Sequence, residues 1–508
     1  MTTPPPTSTS PAGPALAAPA LLACPVDVHA QVTARTTRPD FHRWLVHVRP
    51  AAACARPIRL TGDMVTVRRT GPDSAEIVGH RHTESMPDGV IYKACGTRLA
   101  SVCPSCSKRY QRDAYQIVKT LLVGGKGVPE TVAGHPEVFA TFTAPSFGPV
   151  HSRWVKRHTC RGRDRCTCRP EPCHARRHLP RCPHGRALFC FARHEETDKI
   201  LGAPLCPDCY DYPAHVVWNA STRELWRRTT IAMTRYLQRT ARARRIDPAT
   251  IKLTFGKVAE TQRRAAMHFH VPIRLDGHDP HDKDAILPPP AGIGLADLIA
   301  AIRHAAAQTT FTTGPHPIND HGWRITWGEQ VDVATINTGT DDAMTDGQVA
   351  GYTSKYATKS TEITGHTSGR ITPDTIDSYA DPAGTHTQRL IAACWHLGGP
   401  AAWRRLRLWA HRFGFGGHFL TKSRRHRVTF GLLHAGRIIH RRTPATTTGP
   451  DTTDGQPPEQ DTTLVVNFLQ FAGAGWHTTG DALLANASAA MAREHPCAVL
   501  EAVTAMTA

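Results

Sequence analysis

No stretch of eighteen or more apolar residues occurs in the 508-residue sequence, so it offers no helix able to span a bilayer. It holds no repeat of the solenoid kind. Lysine is scarce, twelve residues in a total of 61 basic side chains, while alanine, arginine, proline and threonine are abundant. That bias reads as GC-rich coding and says nothing about chemistry. The stretch Met1 to Leu22 has a short apolar patch behind many prolines and no basic start, which does not read as a secretion signal. Without such a signal, the fifteen cysteines are expected as thiols or metal ligands rather than disulfides, and the expected location is cytoplasmic.

What is present is positive charge. The formal net charge of +19 favours a polyanionic partner, because each Lys or Arg set on a phosphate releases condensed counterions. The length exceeds what one compact core usually absorbs, so two or three modules are expected.

Residues 1–22 are Pro/Thr/Ala-rich and expected to be disordered, and Arg442 to Thr463 reads as a linker. Between them, Tyr110 to Leu122, Trp218 to Arg245, Leu295 to Ala307, Gly351 to Lys359 and Gln388 to Phe413 read as helices. Phe139 to Thr143, Ile251 to Glu260, His268 to Leu275 and parts of Trp323 to Val333 read as strands. Residues 151–210 hold more than half of the cysteines and few core-formers, so metal is expected to hold their shape.

Two motifs carry chemistry. In His268-Phe269-His270 on a strand, alternate residues share a face, so two imidazoles project together while Phe269 points into the core. Two imidazoles on one face suit a divalent metal. Taken alone the triplet is weak, since 30 histidines yield one by chance on the order of once per such chain. The second motif is Tyr352-Thr-Ser-Lys355-Tyr356-Ala-Thr-Lys359. At about 100° per residue, its two Tyr and two Lys fall within about 100° of arc on one helix face. A bland amphipathic face would carry Leu or Ala there. Phenols beside ammonium groups suit attack on a phosphodiester: a bound cation neutralises the phosphate, a tyrosine displaces the 3′ oxygen, and lysines offset charge.

Together the His-hydrophobic-His strand and Tyr-x-x-Lys-Tyr-x-x-Lys resemble the HUH endonucleases of the rolling-circle class, and among them replication initiators of actinobacterial plasmids and integrative elements. The likeness runs from about Cys95 to His426. It includes Cys103-Pro-Ser-Cys106, Thr143-Ala-Pro-Ser-Phe-Gly148, Leu205-Cys-Pro-Asp-Cys-Tyr-Asp211, Tyr352 to Glu362 and Gly417-His-Phe-Leu-Thr-Lys-Ser423. The resemblance implies an α+β fold, an antiparallel sheet with flanking helices and the metal histidines on a central strand. It also implies Mg²⁺ or Mn²⁺ and a single-stranded or hairpin DNA origin as substrate. Phe139 to Thr143 matches the family's first strand motif. Tyr356 matches the nucleophile of single-tyrosine relatives, which assigns it the first nick and Tyr352 a second transfer, with Lys355 and Lys359 beside them. A third metal ligand is expected from the preceding strand, where Glu260 is the candidate. The turn Gln262-Arg263-Arg264 is expected to touch DNA phosphate through Arg263 and Arg264. With no Walker-type loop in the sequence, helicase and polymerase are expected from the host.

The implied organisation is a disordered N-terminus at 1–22, an N-terminal region with a CxxC at 23–130, and a nuclease core at 131–365 with its cysteine-rich insertion at 151–215. A basic helical region at 366–442, a linker at 443–463 and an Ala-rich tail at 464–508 follow. A CxxC turn aims two sulfurs at one tetrahedral ion. For Cys206 and Cys209 the nearest candidate partners are Cys182, His184 and Cys190, with Cys160, Cys166, Cys168 and Cys173 further upstream. Cys182, Cys190, Cys206 and Cys209 are the set expected to hold one structural zinc, and Cys103 and Cys106 part of another, with Cys95 a further donor and no evident fourth. Cys24, Cys54, Cys394 and Cys497 are expected as buried thiols. Two other readings remain open on sequence: a two-tyrosine HUH transposase, and a non-catalytic zinc-containing DNA-binding regulator. A conjugative relaxase fits less well, because its nucleophile precedes the histidine motif.

Overall fold

The computed structural model describes residues 26–70, 74–156, 168–175, 181–282, 284–337, 343–359, 364, 369–442 and 463–491. The expected disorder at 1–22, residues 443–462 of the linker, and Cys24, Cys160, Cys166 and Cys497 lie outside them. The chain divides into two compact units, residues 1–109 with 446–508, and residues 110–445. No described helix is long and apolar enough to cross a membrane.

In chain order the strands are β1 (Ile58–Arg69), β2 (Ala75–His82), β3 (Ile91–Lys93), β4 (Glu137–Phe142), β5 (Ile251–Thr261), β6 (Met267–Gly277), β7 (Thr310–Thr312), β8 (Arg324–Thr326), β9 (Val331–Thr335), β10 (Leu420–Lys422) and β11 (Thr463–Ala474). The helices are α1 (Val26–Thr36), α2 (Phe41–Val48), α3 (Pro104–Val123), α4 (Tyr212–Ala243), α5 (Leu295–Gln308), α6 (Asp346–Thr358), α7 (His386–Leu397) and α8 (Phe430–Arg442).

In the first unit β1 is flanked by β11 and β2, and β3 pairs with the start of β1, all antiparallel. The segment expected as a separate Ala-rich tail therefore supplies a strand, followed by a helix at 479–491. Asp481 on that helix takes a two-point contact from Arg35, at 2.7 and 3.2 Å, and Arg35 also reaches Asp88 at 2.9 Å. Trp44, Tyr92, Trp476 and Ala485 pack beside this network. Alanine count alone hides such a role, because it does not show the β-branched and aromatic run Thr463–Ala474.

The second unit is built on a five-stranded antiparallel sheet in the order β10-β5-β6-β4-β9. Its strands alternate with period two. Phe269, Val271, Ile273 and Leu275 of β6, with Val138, Ala140 and Phe142 of β4, join α4 and α5 in the main core. Trp226 of α4 meets Phe255, Phe142 and Phe269 with ring centroids 5.2, 5.5 and 6.2 Å apart. On the opposite face, Phe139 packs with Val118, Leu121 and Leu122 of α3 and Val349 and Ala350 of α6. The sheet is thus covered on both sides, which explains why β6 is buried almost throughout. The architecture is mixed α and β with antiparallel sheets and flanking helices.

Two expected boundaries differ. From Tyr110 onward α3 belongs to the second unit, not to a separate region ending at 130. Residues 366–442 are not purely helical, because Leu420–Lys422 forms the edge strand beside β5 and Ser423 continues the pairing through Phe255. The expected helix Gln388 to Phe413 breaks after Leu397, where Gly398, Gly399 and Pro400 end it.

Glu137 pairs across the sheet with Arg274, and its Oε1 is buried with no hydrogen-bond partner among the described residues. Burial pushes its carboxyl up to about 9, against the pull of Arg274. The folded chain then keeps a proton that the unfolded chain releases above the ordinary carboxylate range. This favours folding below about pH 4.5 and is progressively lost as pH rises toward 9. Glu137→Gln removes the dependence. The variant's melting temperature is expected to exceed wild type at pH 8 and converge with it at pH 5. A difference that does not change with pH would contradict a protonated Glu137.

Candidate metal centre and tyrosine face

The β5–β6 hairpin sets Glu260 directly across from His268 and Val258 across from His270. Glu260, His268 and His270 share the sheet face opposite Phe269. Glu260 Oε2 lies 2.8 Å from His270 Nε2. Thr141 Oγ1 of β4 lies 3.3 Å from His270 Nδ1, and the Gln262 amide nitrogen lies 3.3 Å from His268 Nδ1. His268 Nε2 is buried and has no hydrogen-bond partner among the described residues. Burial, then the charges of His270 and Arg264, lower the His268 pKa to about 3, so its imidazole is neutral. One donor atom from each of the three side chains falls within 4.8 Å of the others. A carboxylate and two imidazoles, one nitrogen without a protein partner, fit a divalent cation with oxygen and nitrogen ligands.

Helix α6 faces this cluster. It starts at a capping box in which Thr345 accepts from the Gln348 N–H and Gln348 answers to Thr345. Buried Val349, Ala350, Thr353, Ser354 and Ala357 press the helix on the sheet. The rings of Tyr352 and Tyr356 are 4.3 Å apart, and each lies 5.2 Å from the His270 ring. Phe139 stacks on His270 at 5.9 Å and meets Tyr352 edge-on at 5.7 Å.

The two lysines differ from the helical-face expectation. The helix stops at Thr358, and Lys359 is its C-cap in an extended conformation, φ −69° and ψ 147°. That turn carries Lys359 Nζ to 3.2 Å from Glu260 Oε1 and to 3.9 Å above the Tyr356 ring. Lys355, still helical, is exposed. Burial, with the Tyr356 hydroxyl and the Glu260 charge, pushes the Tyr352 phenol up, which keeps it protonated.

The guanidinium groups of Arg263 and Arg264, expected at DNA phosphate, are engaged with backbone carbonyls. Arg263 donates to the carbonyls of Glu196 and Asp198, and Arg264 donates to those of Ala144 and Pro145 at 3.0 Å each. Their guanidinium groups brace the hairpin tip, a role that a polar turn in sequence does not reveal. Exposed arginines gather elsewhere: Arg227, Arg228, Arg235, Arg239 and Arg242 of α4 line a groove of about 820 Å³ against α5.

The cysteines also regroup. Cys182, Cys206 and Cys209 converge with His184, whose Nδ1 lies 3.2 Å from Cys209 Sγ and 3.8 Å from Cys206 Sγ. Cys190, expected in that set, instead lies beside Cys173, His151 and His194. Cys103 and Cys106 converge with Cys95 and with Cys54, expected as an inert thiol, at Sγ separations from Cys54 of 3.9 and 3.7 Å. The spacing Cys182-x-His184 was a usable signal for His184. Cys54 and His151 stand far from their partners in sequence, and no local spacing marks them.

A family model described as RepSA, replication initiator protein, pSAM2, matches residues 40–490. A replication initiator protein of Streptomyces ambofaciens is 39% identical over 453 residues, covering 88% of this chain and 89% of the relative. No solved structure matches the chain.

If Glu260, His268 and His270 hold a cation, Mn²⁺ added to the full chain should bind with loss of its free-ion electron paramagnetic signal. The double variant H268A/H270A should lose that binding. Equal Mn²⁺ uptake by both proteins would contradict the site.

Proposed function

The chain belongs to the replication initiator family described as RepSA, pSAM2, and on that premise we propose that it starts replication by nicking one DNA strand through Tyr356. The observation that carries the reading is the contact of the His270 ring with both tyrosine rings, at 5.2 Å each. The antiparallel sheet with His268 and His270 on its central strand supports reading the second unit as an HUH nuclease core.

In the proposed step the Tyr356 oxygen attacks the phosphorus of a phosphodiester in line. The P–O3′ bond breaks, the new ester joins Tyr356 to the 5′ side, the phenolic proton passes to solvent, and the departing 3′ oxygen takes a proton from solvent to become the 3′-OH. Glu260, His268 and His270 would hold Mg²⁺ or Mn²⁺, which neutralises the non-bridging oxygens of the phosphate when bound. Lys359, over the Tyr356 ring and paired with Glu260, offsets the negative charge that grows on the phenol. Lys355 adds positive charge at the exposed side, where the strand arrives. Tyr352, its phenol pKa raised by partial burial and by the neighbouring Tyr356, is reserved for the second transfer, one helical turn away. The freed 3′-OH is the primer that a host polymerase would extend behind a host helicase.

Cys54, Cys95, Cys103 and Cys106 form one structural zinc site in this reading, and Cys182, His184, Cys206 and Cys209 another. The arginines between α4 and α5 supply sequence-independent hold on the DNA backbone.

Two outcomes test the reading. Y356F should abolish the covalent protein–DNA adduct on a denaturing gel with Mn²⁺, whereas Y352F should still nick and fail in strand closure; an undiminished adduct in Y356F would refute the assignment. R235A/R242A should weaken binding to all sequences alike and flatten the salt slope by about two units. A slope equal to wild type would remove the groove from the DNA path.

A further inference from the structure

We propose a separate Cys₂His₂ zinc site on His151, Cys173, Cys190 and His194, and infer that it anchors the tip of the β5–β6 hairpin. A tetrahedral Zn²⁺ with bonds of about 2.3 Å to sulfur and about 2.0–2.1 Å to nitrogen spaces its ligand atoms by simple geometry. Nitrogen pairs fall about 3.3 Å apart and sulfur–nitrogen pairs about 3.6 Å apart. Here His151 Nδ1 and His194 Nε2 are 3.2 Å apart, Cys190 Sγ and His194 Nε2 3.6 Å, and Cys173 Sγ and His151 Nδ1 3.9 Å. All four donors lie within 4.8 Å of one another.

The surroundings prepare these atoms as ligands. His194 Nδ1 lies 2.7 Å from Asp198 Oδ2, which fixes the proton on Nδ1 and leaves the Nε2 lone pair toward the cluster. The Ser152 N–H donates to Cys173 Sγ at 3.2 Å, as suits a thiolate. Paired backbone bonds between His174 and Cys190, at 2.7 and 3.0 Å, hold the two cysteine segments side by side. Among the described residues, none of 151–200 joins the main hydrophobic core, so a metal supplies the cross-link that packing does not.

The site has a mechanical consequence. The His151 backbone exchanges two bonds of 2.8 Å with Gly202 and Ala203, and the His194–Asp198 turn presents the Glu196 and Asp198 carbonyls to Arg263. Gly202, at φ +86°, lies so close to the hairpin that a Cβ would stand 2.4 Å from the Arg263 carbonyl carbon. The zinc-held loop therefore abuts the turn whose two strands carry Glu260 and His268.

Zinc counting on the full chain by mass spectrometry tests the assignment independently of any nicking activity. C190S and C209S should each lose one zinc per chain, and C190S/C209S should lose two. A double variant that loses only one would place both cysteines at a single ion and overturn the proposal, as would an unchanged count in C190S. Should C190S fail to fold, wild type decides: Cys190 should resist N-ethylmaleimide until a chelator strips the zinc, and ready alkylation of the zinc-loaded protein would overturn the site. In folded C190S, hydrogen exchange at 262–266 should rise above wild type. Unchanged exchange there would overturn the anchoring role.

Discussion

The Glu260 carboxylate joins the two halves of the candidate site. One oxygen lies 2.8 Å from His270 on the neighbouring strand, and the other 3.2 Å from Lys359 at the end of α6. Strand pairing aligns Glu260 with the histidines, and the buried face of α6 seats the tyrosine helix on the sheet. The lysine contact ties the two together at the site itself, and because it is partly buried, removing one partner would cost more than an exposed ion pair. Lys359 reaches Glu260 because the helix ends where it does: a further turn of α6 would carry Lys359 along the helix face instead of back to the sheet.

Behind the site, support comes from two kinds of material. The sheet rests on an aromatic layer, Trp226, Phe142, Phe269 and Trp327, that needs no ion. The insertion has little apolar surface to bury, and its cysteines and histidines converge in place of a core. Arg263 and Arg264 connect the two by donating to backbone carbonyls from opposite sides of one turn. Both arginines thus act on the geometry of the hairpin, while the arginines of α4 remain exposed.

Local periodicity made part of this legible. The alternation in His268-Phe269-His270 states which side chains share a face, and the β5–β6 hairpin forms where two strand-like runs flank a polar turn. The spacing of Tyr352 and Tyr356 equally determines that their rings lie one turn apart. Lys359 escaped that reading because periodicity assumes a continuing helix, and the helix stops one residue earlier. The cysteine partners escaped it for a different reason. Cys190 lies closer in sequence to Cys182 than to His151, yet backbone pairing with His174 turns it toward Cys173. Composition likewise hid β11, whose role depends on pairing with β1, some four hundred residues earlier in the chain.

In the proposed reaction one phenol on α6 becomes esterified to DNA. The direct measurement is mass spectrometry of the tryptic peptide left attached to an origin oligonucleotide after nicking by the wild-type chain. The nucleotide mass is expected on Tyr356. Cleaved DNA with no attached peptide, or attachment to a residue outside α6, would contradict it.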